Sequence, residues 1–436
     1  MLRKTILLLL LPFCLNASAD NGAQLAEKAL QWLTAAQGDS LLSHCTAEVR
    51  AQMPTDALNA VWQQVQAQTG ALERRGAWRH TTQDGYDIHS VTLVSASAAL
   101  DFNVVIDKES LIAGFTFTPA ASVPQDIAEE DTDESTDNGT WTEQDFVIEN
   151  GAARLPGTLT LPKEWAKGRR AVVVMVAGSG PCDRDETTGP NKPFRDIARQ
   201  LAAKGIATLR YDKRTAVYGA RTAEVSGGKM DFDTEVTDDA AQALSLAAKV
   251  PELKGGKVFL LGHSLGAALA PRIVEKAEKA KACPAGVVLL AAPARPLAEL
   301  MAEQLRYAAS LKGLTPKRVA AEADTLLARA KAALPAEYWA EAVSYRPVAD
   351  AAKLSRCPLL FIQGGNDYQV TQTDFTLWQD AAKAAKEEVV FRFFPTLDHL
   401  LRPQTRMAVP ADYTKKGKVA AAVTDEIADF VQRHSF

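Results

Sequence analysis

Residues 257–266 read Lys-Val-Phe-Leu-Leu-Gly-His-Ser-Leu-Gly, an apolar run that ends on Ser264 between Gly262 and Gly266 and leads into the helix-forming Ala267, Ala268, Leu269 and Ala270. A serine hydroxyl becomes a useful nucleophile only when a base can take its proton. A tight strand-to-helix turn presents the hydroxyl clear of the chain, but such a turn is strained and brings neighbouring backbone so close that only small residues fit on either side. Gly262 and Gly266 meet that requirement. A Gly-x-Ser-x-Gly match alone is common by chance. The strand before it and the helix after it are what make Ser264 a candidate nucleophile for acyl transfer.

The base must come from elsewhere in the chain, and the chain holds six histidines. His44, His80 and His89 fall in the front third, and His434 lies near the C-terminus. His263, as the serine's immediate neighbour, is directed away from it. His399 alone follows the end of an expected strand, which makes it the candidate base; its plainer reading is a loop histidine capping a helix. Acyl transfer also needs N–H groups fixed where negative charge develops. The amide of Leu265, just after the serine, is one candidate. The other is the amide of Ser179, in the turn Ala177-Gly178-Ser179-Gly180-Pro181 that follows an earlier apolar run. Gly178-x-Gly180 is not a dinucleotide-binding fingerprint, because Asp183 stands where the third glycine belongs.

The elements that must hold these residues are short apolar strands alternating with helical stretches, the pattern of a parallel sheet covered on both faces. The expected strands are 171–176, 206–210, 257–261, 287–290, 359–362 and 389–393, preceded by a hairpin of 146–148 and 158–161 around Asn150-Gly151. Their nearly unbroken apolar character suits burial on both sides. Phe194, Ile197 and Leu201 share a helical face that ends at Gly205. Residues 295–354 contain no strand: Leu297, Leu300, Met301 and Leu305 predict one amphipathic helix, and Thr315-Pro316 starts a second. These helices would form a cap over the sheet edge. Ahead of the rear unit, residues 121–142 are rich in acid, Ser and Pro and form an expected solvated linker. Residues 20–120 form a small α+β unit, with helical patterns near Leu25–Leu33 and Leu58–Val65 and then an antiparallel meander over 86–118.

Residues 143–436 resemble the α/β-hydrolase fold, and Gly178-Ser179-Gly180-Pro181-Cys182-Asp183-Arg184-Asp185-Glu186 resembles the corresponding loop of a secreted bacterial serine esterase branch. The resemblance implies a mostly parallel eight-stranded sheet with a helical cap insert, and catalytic residues in the order serine, acid, histidine. It places the acid just beyond a late strand, at Asp367 in Gln363-Gly364-Gly365-Asn366-Asp367, and the histidine after the last strand, at His399. Asp374 and Asp398 compete with Asp367, although residues adjacent in sequence rarely set a carboxylate against the inner imidazole nitrogen; the plainer reading of Asp367 is a turn residue. Asp183 to Glu186 either border the pocket or form a self-satisfied ion-paired loop. Arg210-Tyr211-Asp212-Lys213-Arg214 reads as a buried Arg and Asp pair holding a loop. The front unit resembles the nuclear-transport-factor-like domains found ahead of exported hydrolases.

Composition narrows the classes. With 436 residues, 47% apolar content and a net charge of −4, the chain supports two cores and lacks the clustered basic surface that nucleic acid requires. Met1-Leu2-Arg3-Lys4, the apolar run to Leu15 and Ala17-Ser18-Ala19 have the order of a secretory signal peptide (residues 1–19) cut after Ala19. As a helix that run spans about 16 Å, against the roughly 30 Å of a hydrocarbon core, so stable membrane insertion is not expected. Export follows, to the periplasm in a Gram-negative source. Four cysteines remain, too few for a disulfide scaffold, though Cys283 and Cys357 could bridge if the strands they precede are neighbours. No metal motif is present, and neither a metal nor a cofactor is expected. The expected activity is that of a serine carboxylesterase on short-chain or small soluble acyl esters. A peptidase or amidase with the same three residues is the alternative, and from another class, a non-catalytic binding protein on this scaffold. The front unit has dimerisation, screening of the pocket, or contact with a wall or sugar polymer open to it.

Overall fold

A computed structural model describes residues 17–120, 139–165, 170–384 and 387–435, apart from 77, 84, 96 and 97. The leader up to residue 16 and residues 121–138 of the expected linker lie outside this set. Ala17–Ala19 open the first helix. The chain divides into two units on either side of residue 131.

Among the described residues the front unit has four helices, α1 (Ala17–Thr34), α2 (Gly38–Leu42), α3 (Ala47–Gln52) and α4 (Thr55–Thr69), and then strands β1 (Leu72–Arg75), β2 (Arg79–Gln83), β3 (Tyr86–Ser95), β4 (Ala99–Ile106) and β5 (Ile112–Pro119). The strands β3, β4 and β5 form the expected meander, all antiparallel. Sequence reading missed β1 and β2. They share one edge of β3, and an edge that faces water needs no apolar alternation; three of the four β1 residues are exposed. Ala29, Leu33, Leu58, Val91, Phe102 and Val104 form the core between helices and sheet.

In the rear unit the hairpin strands β6 (Trp141–Asn150) and β7 (Ala153–Pro162) are longer than expected, and β6 takes in Trp141 and Thr142 from the expected linker. Trp141 is buried, with the Arg199 guanidinium 4.8 Å over its ring. Six parallel strands follow: β8 (Ala171–Val176), β9 (Ala207–Tyr211), β10 (Lys257–His263), β11 (Val287–Leu290), β12 (Leu359–Gly364) and β13 (Val389–Phe394). The eight strands stand in the order β13-β12-β11-β10-β8-β9-β7-β6, with β6 and β7 antiparallel to their neighbours.

The helices are α5 (Pro193–Ala202), α6 (Arg214–Tyr218), α7 (Thr222–Val225), α8 (Asp238–Ala247), α9 (Leu265–Ala268), α10 (Ala270–Lys279), the cap helices α11 (Leu297–Ser310), α12 (Pro316–Ala333) and α13 (Ala336–Ser344), then α14 (Gln372–Ala381) and α15 (Ala421–Arg433). Strand alternation explains the two layers. On β8, Val172, Val174 and Val176 face Leu244 of α8 and Ile273 of α10, whereas Ala171, Val173 and Met175 face Ile197 of α5 and Phe430 of α15. Removing the side chain of a buried Leu, Ile or Phe in either layer costs about 2–5 kcal/mol.

Pro193 opens α5, and Gly205, at φ 83°, closes the turn after it. Thr315 stands at the start of α12 without a side-chain cap bond, so Pro316, with φ already fixed, is what begins that helix. Cys283 and Cys357 lead into the neighbouring strands β11 and β12, yet both are free thiols, as are Cys45 and Cys182. Among the described residues no helix is long and apolar enough to cross a membrane.

After β8 the chain moves outward to β9 and then returns to the other flank of β8 as β10. Loops leaving the carboxyl ends of β8 and β10 therefore diverge and leave a crevice between them, where ligands bind in open α/β sheets. The 177–181 turn and Ser264 both lie there.

Candidate active site

Ser264 sits between β10 and α9 with φ 51° and ψ −119°, a conformation that costs a non-glycine residue about 1–3 kcal/mol. Its N–H donates to the Leu290 carbonyl at 3.0 Å. The glycines on either side admit no side chain. A Cβ on Gly262 would lie 2.5 Å from the Gly266 carbonyl oxygen, and one on Gly266 would lie 2.3 Å from that of Val176. The strained turn is therefore pressed between its own helix and β8, and the surrounding packing holds it. Leu265 is the first residue of α9, and a first-turn amide has no carbonyl partner within its own helix.

Asp367 and His399 come together from the loops after β12 and β13. Those loops interlock: Gly365 and Asn366 N–H groups donate to the carbonyls of Phe394 and Leu397 at 2.8 and 2.9 Å. A Cβ on Gly364 would lie 2.3 Å from the Leu397 carbonyl oxygen, so glycine is what permits the approach. His399 Nδ1 meets Asp367 Oδ2 at 2.8 Å, both side chains almost fully buried. The other carboxylate oxygen, Oδ1, accepts the amides of Gln369 and Val370 at 2.7 and 3.0 Å. The competing acids are occupied elsewhere. Asp398 pairs with Arg402 at 2.8 Å, and Asp374 with Arg295 at 2.7 Å while accepting the Ala294 amide.

His263 links the two halves of the site. Its Nδ1 lies 2.9 Å from Glu186 Oε1 and its Nε2 2.9 Å from the His399 carbonyl oxygen, with the two imidazole rings 4.7 Å apart. A carboxylate and a carbonyl both accept, so both ring nitrogens donate and His263 is an imidazolium. Burial pushes the ring toward its neutral form. The Glu186 charge and hydrogen bond, with the His399 carbonyl and the Asp367 charge, outweigh this and raise the pKa above the ordinary histidine value. A proton held more tightly in the folded state adds stability that is fully present below about pH 6.5 and is lost as pH rises through the raised value. Denaturant midpoints of the native protein are therefore expected to fall from pH 6.5 upward more steeply than those of His263→Asn. Parallel slopes for the two proteins would show that His263 is not charged.

Residues 183–185 are held by ion pairs and hydrogen bonds around the loop, whereas Glu186 turns into the crevice and borders the site. Arg184 forks onto Asp212 at 2.9 and 2.8 Å, Asp185 accepts from Arg210 at 2.9 Å, and Asp183 accepts from the Thr187 amide and hydroxyl. Arg210 and Asp212 thus pair with this loop, and Arg210 also with Glu143 at 2.8 Å, rather than with each other as expected. Glu186, itself at φ 53°, accepts the Gly178 N–H at 2.6 Å. A Cβ on Gly178 would lie 3.1 Å from Ser264 Cβ, and the next residue, Ser179, is exposed.

Taken together, Ser264, Ser179 and Leu265 stand at the crevice between β8 and β10, with the Asp367–His399 pair alongside through His263. Sequence reading leaves Glu186 open between bordering the pocket and closing an ion-paired loop, sets His263 aside, and reads Lys213 only as part of a loop-holding run. The one usable signal was a histidine and a lysine at strand ends where apolar residues or turn formers are usual.

The family model described as "Alpha/beta hydrolase family" matches residues 173–411. A second, described as "Protein of unknown function (DUF3887)", matches residues 26–115. Over 411 residues, 92% of this chain and 92% of its counterpart, the sequence is 36% identical to Esterase EstD of Thermotoga maritima. Among solved structures, the Pyrococcus furiosus esterase Pf2001 is similar with a TM-score of 0.43 at 15% identity, covering 68% of this chain and 92% of that one. The Pyrococcus horikoshii acylaminoacyl peptidase is similar with a TM-score of 0.46 at 12% identity, covering 83% of this chain and 56% of that one.

Proposed function

The chain belongs to the α/β-hydrolase family, and from that premise we propose that it is a serine carboxylesterase for short-chain or small soluble acyl esters, with Ser264 as nucleophile, His399 as base and Asp367 as the acid that orients the histidine. The observation that carries this reading is Ser264 held at a strained strand-to-helix turn in the sheet's crevice, with a buried 2.8 Å His399–Asp367 pair joined to the serine's neighbour His263. The 36% identity to an esterase supports ester over amide substrates.

In this reading Ser264 Oγ attacks the ester carbonyl while its proton passes to His399 Nε2. The carbonyl oxygen becomes an anion held by the N–H groups of Ser179 and Leu265. The C–O bond to the alcohol then breaks, and His399 returns the proton to the departing oxygen. Water, deprotonated by His399, attacks the acyl-serine; the acyl–Oγ bond breaks, His399 returns the proton to Ser264 Oγ, and the acid leaves. Asp367 fixes the proton on Nδ1, so that Nε2 is free to accept. No cofactor takes part.

The cap supports small, soluble substrates. Its longest helix, α12, has Ala323 as its one buried residue and is rich in alanine and charged residues, not the long apolar lid of a triglyceride site. The leader-like N-terminus supports export, with the periplasm as the site of action. The helices and five-stranded antiparallel sheet of the front unit support reading it as nuclear-transport-factor-like.

A fluorophosphonate probe is expected to label the purified protein stoichiometrically, with the adduct mapping to Ser264. Matched p-nitrophenyl ester and p-nitroanilide substrates of one acyl group are expected to favour the ester, and a chain-length series to peak at short acyl groups. An anilide rate equal to the ester rate would transfer the assignment to the peptidase class. Absence of labelling in the folded protein would favour a binding role.

A further inference from the structure

Gly178 is held through both of its peptide groups. Its N–H donates to Glu186 Oε1 at 2.6 Å, and its carbonyl accepts from Lys213 Nζ at 2.9 Å. Lys213 follows β9 and is 3% exposed, so its ammonium is removed from water and needs a partner charge. Glu235 is that partner, at 2.8 Å and equally buried. It lies in a π-helical turn, Asp233–Thr237, a local widening that recurs at functional sites.

The Gly178 carbonyl and the Ser179 N–H belong to a single peptide unit. Among the described residues no peptide bond is cis, and in a trans unit C=O and N–H point to opposite sides. Drawing the carbonyl toward Lys213 therefore turns the Ser179 N–H the other way. This peptide rides against the candidate nucleophile, since a Cβ on Gly178 would lie 3.1 Å from Ser264 Cβ. A cationic donor on the carbonyl also draws electron density out of the amide and makes its N–H the stronger donor.

We propose that Lys213, held by Glu235, is a positioning residue for the oxyanion hole, fixing the Gly178–Ser179 peptide plane so that the Ser179 N–H meets the negative charge of the tetrahedral intermediate. The inference rests on the serine-esterase reading. Lys213 touches no reacting atom, and its effect appears only as charge develops on the substrate oxygen.

The test uses the full chain carrying Lys213→Met, with Lys213→Met/Glu235→Gln as a companion that leaves no unpaired buried carboxylate. Active sites are counted by fluorophosphonate titration, and kcat and KM are measured per titrated site with p-nitrophenyl butyrate. The Ki of a trifluoromethyl ketone of the same acyl chain, whose adduct places an oxyanion in the hole, is measured alongside. Turnover per site is expected to fall about 10- to 100-fold with KM within about threefold, and the ketone Ki to weaken by the same factor. A residue that only supports the fold would lower the titratable fraction and Tm but leave turnover per site and the ketone Ki unchanged, and that result would overturn the proposal. If native protein is not labelled at Ser264, the esterase reading itself fails. Labelled native protein with unaffected variants would remove the Lys213 inference alone.

Discussion

Replacing Ser264 by alanine is expected to lower ester turnover about 10⁶-fold while the folded protein persists. Alanine occupies the same positive-φ turn at a similar cost, and the turn is fixed by packing against β8 and by the Ser264 N–H bond to Leu290, neither of which uses the hydroxyl. Residual hydrolysis above the rate in water would come from the oxyanion donors and from substrate binding, which do not need the serine oxygen. The measurement is kcat for p-nitrophenyl butyrate beside a Tm for native and variant protein. A loss of less than about a hundredfold with Tm unchanged would place the nucleophile elsewhere.

Asp367→Asn is expected to cost about 10⁴-fold in turnover, because the contacts around the carboxylate dictate which way the new amide faces. Oδ1 is committed to the amides of Gln369 and Val370. The carboxamide oxygen must stay there, and its NH₂ then faces His399 Nδ1. The Gln363 contact at 3.3 Å is the longest on the carboxylate and yields first. An NH₂ at that position needs an acceptor, so the imidazole moves its proton to Nε2, where it can no longer take one from Ser264. The substitution thus changes the tautomer with little change in volume. Turnover within about tenfold of native, with the variant folded, would mean that Asp367 does not set the tautomer.

Legibility in the sequence followed the range of the interaction. The strands buried on both faces were readable because each is a local apolar run, and so was Ser264, whose turn is encoded within five residues. The edge strands β1 and β2 were not, since strands facing water carry no apolar period, and the short helices α2 and α3 hold too few turns to show one. Asp367, Asp374 and Asp398 look alike in sequence because each is an acid in the chain after a late strand, Asp374 in the first turn of α14. The fold distinguishes them by giving Asp374 and Asp398 an arginine each and leaving Asp367 to a histidine. Glu186 and His263 are separated by 77 residues, and His263 and the His399 carbonyl by 136. No local pattern announces contacts at that range. The run around Lys213 was read as a loop brace, which its arginines and aspartate are, and the lysine's separate contact with Gly178 was hidden among them.

The cap helices α11 to α13 leave from the end of β11 and return at β12, strands that already lie side by side in register. Their chain ends are thus anchored whatever lies between them, and doubling the length of such an excursion costs only about 0.6 kcal/mol in closure entropy. Ser264 and the 177–181 turn are supplied from one side of this gap in the sequence, and Asp367 and His399 from the other. In the region between them α12, with Ala323 as its one buried residue, can be lengthened, trimmed or exchanged without touching the strands on which either group stands, while Tyr338 and Ala342 of α13 keep the cap seated on the core. That makes α12 the natural place for selection, or for a designed library, to alter which esters are admitted while the reacting groups stay where they are.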